Sequence, residues 1–276
     1  MLQVDDTHMI LSDGSRMPRL GLGVWKLADD GPCQRAVEAA LEAGYRHIDT
    51  AQVYGNEVSV GRALRASGVE RADVFVTTKF DPSRADPLEE LQGSLERLGL
   101  DRVDLYLVHW PLHGPVRAWP DMEKVLHAGL THSIGVSNFS LEELDVLLAA
   151  ASVRPVVNQV QFSPFAYRRA LLDGCVAQGV GVVAYSPLGM GGHLTNPTVW
   201  AVADRLGKTP AQILIRWALE RGVGVVPKSG DPTRIRLNTD VFDFTLDEQG
   251  LEELDALDAT GGTDRAREVK FWERQP

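Results

Sequence analysis

Short apolar runs rich in β-branched residues recur along the chain, and segments with the spacing of an amphipathic helix lie between them. This alternation is typical of parallel strands joined by helical crossovers. The eight predicted strands are LGLGVW (20–25), YRHID (45–49), VFVTTK (74–79), VDLYLVH (103–109), SIGVSN (133–138), PVVNQV (155–160), GVVAYS (181–186) and VGVVPK (223–228).

The segments between the strands carry recognisable helix boundaries. In DGPCQRAVEAALEAG the apolar residues share one face, and Gly44 follows as a C-cap. Ser140 with Glu143 three residues later predicts a capping box. Thr209 followed by Pro210 predicts the start of another helix. These ends favour helices of ordinary length over irregular connections.

The number and order of these units predict an α/β fold. Eight strand–helix units in about 250 residues match a (β/α)8 TIM barrel, and a doubly wound open sheet is the alternative. The segment MILSDGSRMPRL has an Asp13-Gly14 turn, which predicts an N-terminal β-hairpin at the bottom of the barrel. Since no Pro/Gly/Ser-rich linker divides the chain, residues 1–276 are predicted to form a single domain.

Composition narrows the possible partners and the compartment. The formal net charge of −10 argues against nucleic acid, which rewards clustered Lys and Arg. No apolar run reaches the ~18 residues that span a membrane, and the N-terminus lacks the features of a signal peptide. The cysteines, Cys33 and Cys175, belong to no Cys/His cluster, so neither a disulfide nor a metal site is predicted. We therefore predict a cytoplasmic protein, most simply a monomer.

Ionisable residues stand at the predicted strand ends, where the active sites of such barrels lie. Lys79 ends an apolar strand, and a buried lysine is unfavourable unless it is paired. Asp49, at the end of the neighbouring strand, is its expected partner. His109 ends the next strand along the chain. His47, which alternates with Ile48, is expected to pack against a helix.

The expected Asp49–Lys79 pair suggests a role for Tyr54. A cation about 4 Å away at an effective dielectric of ~20 is worth roughly 4 kcal/mol, or about three pKa units, before desolvation subtracts from it. Tyr54 beside Lys79 is therefore a candidate general acid toward a carbonyl oxygen, and His109 a candidate hydrogen-bond donor to that oxygen. Reduction of a carbonyl also requires a hydride donor.

These residues lie in segments that resemble the aldo-keto reductase superfamily over about residues 9–260. The similar segments are GYRHIDTAQVYGNE, VFVTTK, DLYLVHWP, IGVSNF, PVVNQV, AYSPLG and VVPKS, in the family's order and spacing. The resemblance is strongest to bacterial 2,5-diketo-D-gluconate reductase-like enzymes. It implies NADPH-dependent reduction of aldehydes or ketones, such as α-dicarbonyls or keto-sugars, with Asp49, Tyr54, Lys79 and His109 as the catalytic tetrad.

The resemblance also implies how a nicotinamide cofactor binds. NADPH is expected, with NADH as a weaker alternative. The implied positions run from Ser137, Asn138 and Gln159 at the carboxamide and Tyr185 under the ring, through Ser186 and Leu188 in the glycine-rich loop 187–192, to Lys228, Ser229, Arg234 and Asn238 at the adenosine end.

Several positions depart from the family pattern. Asp231 stands near the expected 2′-phosphate, where a carboxylate is unfavourable, and Leu237 replaces the usual Glu. The third strand exits through Phe80 without the usual tryptophan. Trp25, Phe80 and Trp110 remain as candidate walls of the substrate pocket, and Trp272 in the tail is a further aromatic candidate.

Two other functions fit some of the same residues. A lysine at a strand end can form a Schiff base, but Asp49 should keep Lys79 protonated. A cofactor-binding sensor or channel-associated subunit on the same fold would have extensions that this compact chain lacks. A purely structural Asp49–Lys79 pair is the third alternative.

Overall fold

The computed structural model describes residues 3–4 and 6–263, and these residues form a three-stranded sheet and an eight-stranded parallel sheet. Each strand of the larger sheet pairs in parallel with the next along the chain. Those strands are β4 (Leu22–Gly23), β5 (His47–Asp49), β6 (Phe75–Phe80), β7 (Val103–Val108), β8 (Thr131–Ser137), β9 (Val157–Gln161), β10 (Gly181–Tyr185) and β11 (Gly224–Val226).

A parallel bridge between Leu20 and Val225 connects the first barrel strand to the last. The Gly21 amide donates to the Val225 carbonyl oxygen at 2.8 Å, which extends this contact. Because the two edges of the sheet meet, the predicted (β/α)8 barrel is confirmed and the open doubly wound sheet is wrong.

Helices surround the barrel and begin where the sequence places their caps. Ser140 and Glu143 form the predicted capping box, and Thr209 forms a second one with Gln212. Gly44 follows the first helix with φ +96°, a conformation that suits glycine. The helices in the described part of the chain are α1 (Pro32–Glu42), α2 (Glu57–Ala66), α3 (Pro87–Leu98), α4 (Trp119–His127), α5 (Leu141–Ala150), α6 (Arg169–Ala177), α7 (Pro197–Leu206), α8 (Pro210–Glu220), α9 (Pro232–Leu237) and α10 (Glu248–Asp255).

The N-terminal strands cover the bottom of the barrel, as predicted. They are β1 (Gln3–Val4), β2 (His8–Ile10) and β3 (Arg16–Pro18), paired antiparallel. Met9 and Met17 are buried in one cluster with side chains of the barrel interior, including that of Phe75. A Cβ at Gly181, the first residue of β10, would lie only 2.7 Å from the Met9 sulfur. The glycine therefore lets the hairpin approach the strand starts closely.

His47 lies inside the barrel, which corrects the expectation that it packs against a helix. Its Nδ1 is 3.1 Å from the Pro18 carbonyl oxygen, and its Nε2 is 3.0 Å from Thr77 Oγ1. Side chains alternate along a strand, so His47 shares the face of Asp49 rather than that of Ile48. Burial lowers the pKa of His47, and the Asp49 carboxylate opposes that shift.

Candidate active site

A buried ion pair lies where β5 and β6 end. The Lys79 side chain is fully buried, and its Nζ donates to Asp49 Oδ1 at 2.6 Å and to the Thr50 carbonyl oxygen at 2.8 Å. Gln159 Nε2 donates to the other Asp49 oxygen at 2.7 Å. Burial lowers the pKa of Lys79, and Asp49 opposes that shift. Hydrogen bonds on both partners are what a buried pair needs to offset its desolvation.

Tyr54 reaches this pair from a short 3-10 turn, Gln52–Tyr54. Lys79 Nζ lies 3.5 Å from the Tyr54 hydroxyl oxygen and donates toward it. The pKa of Tyr54 is raised well above its ordinary value, first by burial and then by the Asp49 carboxylate. The expected lowering of this pKa by Lys79 is therefore not found, because burial outweighs it and the Asp49 carboxylate adds to the rise. The phenol keeps its proton, which is the form a proton donor requires.

His109 follows β7 and stands beside Tyr54. The two rings meet edge to face with 5.7 Å between centroids, and the imidazole stacks on Trp110 at 3.6 Å. Burial, and then the Lys79 charge, lower the pKa of His109 well below its ordinary value. The imidazole is therefore neutral near pH 7 and carries one N–H. Its buried Nδ1 has no hydrogen-bond partner among the described residues.

A chain of hydrogen bonds joins the residues expected at the nicotinamide. The Tyr185 hydroxyl donates to Asn138 Oδ1 at 2.8 Å, and Asn138 Nδ2 donates to the His109 carbonyl oxygen at 3.0 Å and to Ser137 Oγ at 3.1 Å. Ser137 Oγ donates in turn to the Gln159 carbonyl oxygen at 2.7 Å. These bonds hold the Tyr185 ring and the Asn138 amide in fixed positions at the barrel mouth.

The backbone is strained where β8 and β10 end. Asn138 has φ +64° and Ser186 has φ +50°, both in the left-handed region that non-glycine residues rarely adopt. Such strain clusters at ligand sites. After Leu188, the loop continues through a 3-10 segment, Gly189–Thr195, with Met190 exposed. A fixed aromatic ring beside strained, polar strand ends fits a planar cofactor with a phosphate tail.

The residues expected at the adenosine end lie together on the loop after β11 and on α9. Lys228 and Arg234 are exposed, and Ser229 and Asn238 are buried. Asp231 caps α9: its carboxylate accepts from the Arg234 amide at 3.0 Å and lies 3.8 Å from the Arg234 guanidinium. The two cations are groups of the kind that bind phosphate, and the Asp231 carboxylate lies beside one of them, Arg234. Leu237 is 41% exposed.

The three candidate pocket aromatics have different surroundings. Trp110 stacks on His109, and Trp25 is half-buried with Lys26 Nζ 4.5 Å from its ring centroid. Phe80 is 2% exposed and packs in the same cluster as Val76 and Tyr106, on the face of β6 opposite to Lys79. The structure therefore does not bring Phe80 beside the tetrad. Trp272 lies outside the described residues.

The side-chain amides of Asn56 and Gln52, on either side of Tyr54 in the sequence, bond to neighbouring loops. The sequence pattern predicts neither contact. Asn56 is fully buried, and its Nδ2 donates to the Val24 and Leu27 carbonyl oxygens, both at 2.9 Å. Its Oδ1 accepts from Thr50 Oγ1 at 3.0 Å. In the sequence, an asparagine directly after a glycine indicates only a turn, and no local signal shows that its amide joins two loops.

The chain belongs to the aldo/keto reductase family, whose profile matches residues 19–259. It is 47% identical over 256 residues to an aldo-keto reductase of Mycolicibacterium vanbaalenii, with 91% of each chain covered. A crystal structure of an aldo/keto reductase from Brucella melitensis has a TM-score of 0.86 and 41% identity, over 91% of this chain and 99% of that one. The Bombyx mori aldo-keto reductase in complex with NADP has a TM-score of 0.87 and 33% identity, over 99% of each chain.

Membership of this family makes the chain an oxidoreductase that acts on carbonyl compounds with a nicotinamide cofactor. None of the helices in the described part of the chain is long and apolar enough to cross a membrane. The described residues also contain no group of three or more His, Cys, Asp or Glu side chains arranged to hold a metal ion.

Proposed function

We propose that the chain reduces small aldehydes or ketones with NADPH, and that Tyr54 protonates the carbonyl oxygen. The proposal depends chiefly on one observation. The Tyr54 hydroxyl oxygen lies 3.5 Å from Lys79 Nζ, and the ring of His109 lies beside Tyr54. When bound, the reduced nicotinamide supplies the hydride that reaches the carbonyl carbon.

Each member of the tetrad has a distinct role in this proposal. Because Lys79 donates to the phenol oxygen, the Tyr54 proton is free to point at the substrate and to move to its oxygen. The Lys79 charge then stabilises the phenolate that remains. Asp49 holds Lys79 in place. The neutral His109 donates a hydrogen bond to the same carbonyl oxygen and orients it.

The remaining assignments follow the arrangement of the strand ends and the likeness to the NADP-bound relative. Tyr185 supports the nicotinamide ring, Lys228 and Arg234 hold the 2′-phosphate, and NADH serves as a weaker substitute. α-Dicarbonyls and keto-sugars are the proposed substrates, by resemblance to 2,5-diketo-D-gluconate reductase-like enzymes. We further propose a monomeric, cytoplasmic, single-domain protein. The other residues assigned to the cofactor are Ser137, Asn138, Gln159, Ser186, Leu188, Ser229 and Asn238, and those assigned to the substrate are Trp25 and Trp110.

Replacing Tyr54 tests the assignment directly. Tyr54→Phe removes the proton donor and keeps the ring, so we expect kcat to fall by about 10²- to 10⁴-fold with the dissociation constant for NADPH nearly unchanged. NADPH absorbance with a panel of aldehydes, α-dicarbonyls and keto-sugars measures kcat, and fluorescence titration measures binding.

Tyr106→Phe is the matched control, since it removes a buried phenol hydroxyl that bonds to the Pro87 carbonyl oxygen at 3.3 Å on the helix side of β7. A Tyr54→Phe rate close to that of the wild type would contradict the role. Borohydride trapping of a substrate on Lys79 would instead support the Schiff-base alternative.

A further inference from the structure

The turn that carries Tyr54 is short and needs support from outside. It contains three residues, Gln52–Tyr54, and is followed by Gly55 in the left-handed conformation with φ +66°. Its own backbone bonds run from the Tyr54 amide to the Ala51 carbonyl oxygen at 3.0 Å and from the Gly55 amide to the Gln52 carbonyl oxygen at 3.3 Å. A single 3-10 turn with two such bonds is not stable alone.

Two side-chain amides hold this turn from opposite sides. Asn56 ties its C-terminal end to the loop after β4. On the other side, Gln52 Oε1 accepts from the Asp81 amide at 3.0 Å. Gln52 Nε2 donates to the Glu90 carbonyl oxygen at 3.3 Å and also to the Glu90 carboxylate. One half-buried glutamine therefore joins the Tyr54 turn to the loop after β6 and to the first turns of α3.

We infer that Gln52 is a positioning residue for the proton donor: its amide fixes the Tyr54 turn against the loop that starts at Asp81. The inference rests on the proposed function of Tyr54. Tyr54 and Lys79 come from different strand ends, and their 3.5 Å contact is near the limit of a hydrogen bond. A small shift of the turn breaks that contact, and misplacement by about 1 Å can cost about 10²-fold in rate.

The same bonds connect the loop after β6 to Tyr54. The segment after β6 begins with Asp81, whose carboxylate accepts from the Ser83 amide at 2.9 Å. Because Gln52 bonds to the Asp81 backbone, a displacement of this loop reaches the Tyr54 turn through a single side chain.

Gln52→Met is the test variant, since methionine keeps the length and much of the packing but makes none of these three hydrogen bonds. We expect kcat to fall about tenfold, while the dissociation constant of NADPH changes by less than about twofold. The Gly55 amide bonds to the backbone oxygen of residue 52, which the substitution keeps. The hydrogen exchange of the Gly55 amide should nevertheless become at least fivefold faster, because the turn opens more often in the variant.

Gln178→Met is the matched control. Gln178 is also half-buried, and its Nε2 donates to a carboxylate on a neighbouring helix, Asp145 Oδ1 at 2.6 Å. This variant should change neither kcat nor Gly55 exchange. In a Tyr54→Phe background, Gln52→Met should cost less than twofold in kcat, because a residue that acts through Tyr54 has nothing left to position.

Unchanged Gly55 exchange and kcat in Gln52→Met would overturn the inference. The inference would also be overturned if Gln52→Met lowered kcat by the same factor in the wild-type and Tyr54→Phe backgrounds. The same holds if Gln178→Met lowered kcat as much as Gln52→Met does. If the wild-type chain reduced no carbonyl at all, the proposed function would fall, and the exchange of Gly55 would still decide whether Gln52 holds the turn.

Discussion

At the scale of single residues, burial moves the groups of the site toward their neutral forms. It raises the pKa of Tyr54 and lowers the pKa of His109, so both keep a neutral ring near pH 7. Burial also lowers the pKa of Lys79, but the Asp49 carboxylate opposes that shift, and Asp49 and the Thr50 carbonyl oxygen accept hydrogen bonds from the ammonium. The site therefore combines one hydrogen-bonded charge pair with two neutral groups, which are the ones proposed to donate hydrogen bonds to the carbonyl oxygen.

The two buried histidines predict that stability falls in mild acid. The pKa values of His47 and His109 are lowered by folding, so the unfolded chain binds more protons below the ordinary pKa near 6.5. The stability that their neutral forms contribute is therefore present above about pH 6.5 and is lost as the pH falls. We expect the free energy of unfolding to drop by roughly 1–3 kcal/mol between pH 7.5 and 5.5.

Urea unfolding at the two pH values measures this difference. His47→Gln removes one of the two titrating groups, so its stability should depend less steeply on pH even if its absolute stability is lower. A pH dependence as steep as that of the wild type would show that His47 does not contribute.

At the scale of elements, the start of α9 explains the acid at position 231. Asp231 is the N-cap of a six-residue helix, and its carboxylate accepts from the Arg234 amide. That hydrogen bond, and the nearby Arg234 guanidinium, lower the pKa of Asp231. The residue that stabilises the helix start thus places a negative charge beside the cations proposed for the 2′-phosphate.

Asp231→Asn separates these two effects, because asparagine caps a helix about as well as aspartate but carries no charge. We expect NADP+ to bind about three- to tenfold more tightly and NAD+ to bind as before, since only NADP+ has the 2′-phosphate. Fluorescence titration with both cofactors measures the change.

Asp247→Asn is the control, because Asp247 caps α10 in the same way. If both cofactors gained affinity equally in Asp231→Asn, repulsion of the 2′-phosphate would not be the cause.

At the scale of the whole molecule, the two ends of the barrel have different tasks. The hairpin closes the bottom with Met9 and Met17, and the tetrad lies at the ends of the strands. Polar contacts such as His47 to Thr77 occupy the interior between them. Changes at the bottom should therefore affect folding more than chemistry.

Met17→Ala tests this separation. Met17 is 1% exposed, and truncating a buried methionine removes about 2–5 kcal/mol from the free energy of unfolding. We expect that loss in urea unfolding, with kcat within twofold of the wild type at a temperature where the variant is folded. Val176→Ala, at a position 42% exposed, should cost less than about 0.5 kcal/mol. A stable Met17→Ala protein with strongly reduced kcat would contradict the separation.

The sequence by itself determined the architecture and the residues at the strand ends. Each barrel strand overlaps one of the predicted apolar runs, although β6, β8 and β9 extend one or two residues beyond it. Ser140 and Glu143 form the capping box expected of them. Both depend on local periodicity and on contacts between near neighbours. The Asp49–Lys79 pair was also predictable, because a buried lysine requires a partner and adjacent parallel strands end side by side.

Only the tertiary structure decided which face His47 occupies, how Asn56 and Gln52 hold the Tyr54 turn, and that Phe80 faces away from the tetrad. These features depend on packing and on contacts between residues distant in sequence, such as Gln52 with Glu90. The tertiary structure also decided the direction in which the Tyr54 pKa shifts. The residue types suggest a cation that lowers that pKa, but burial and the short bond from Lys79 to Asp49 reverse the balance.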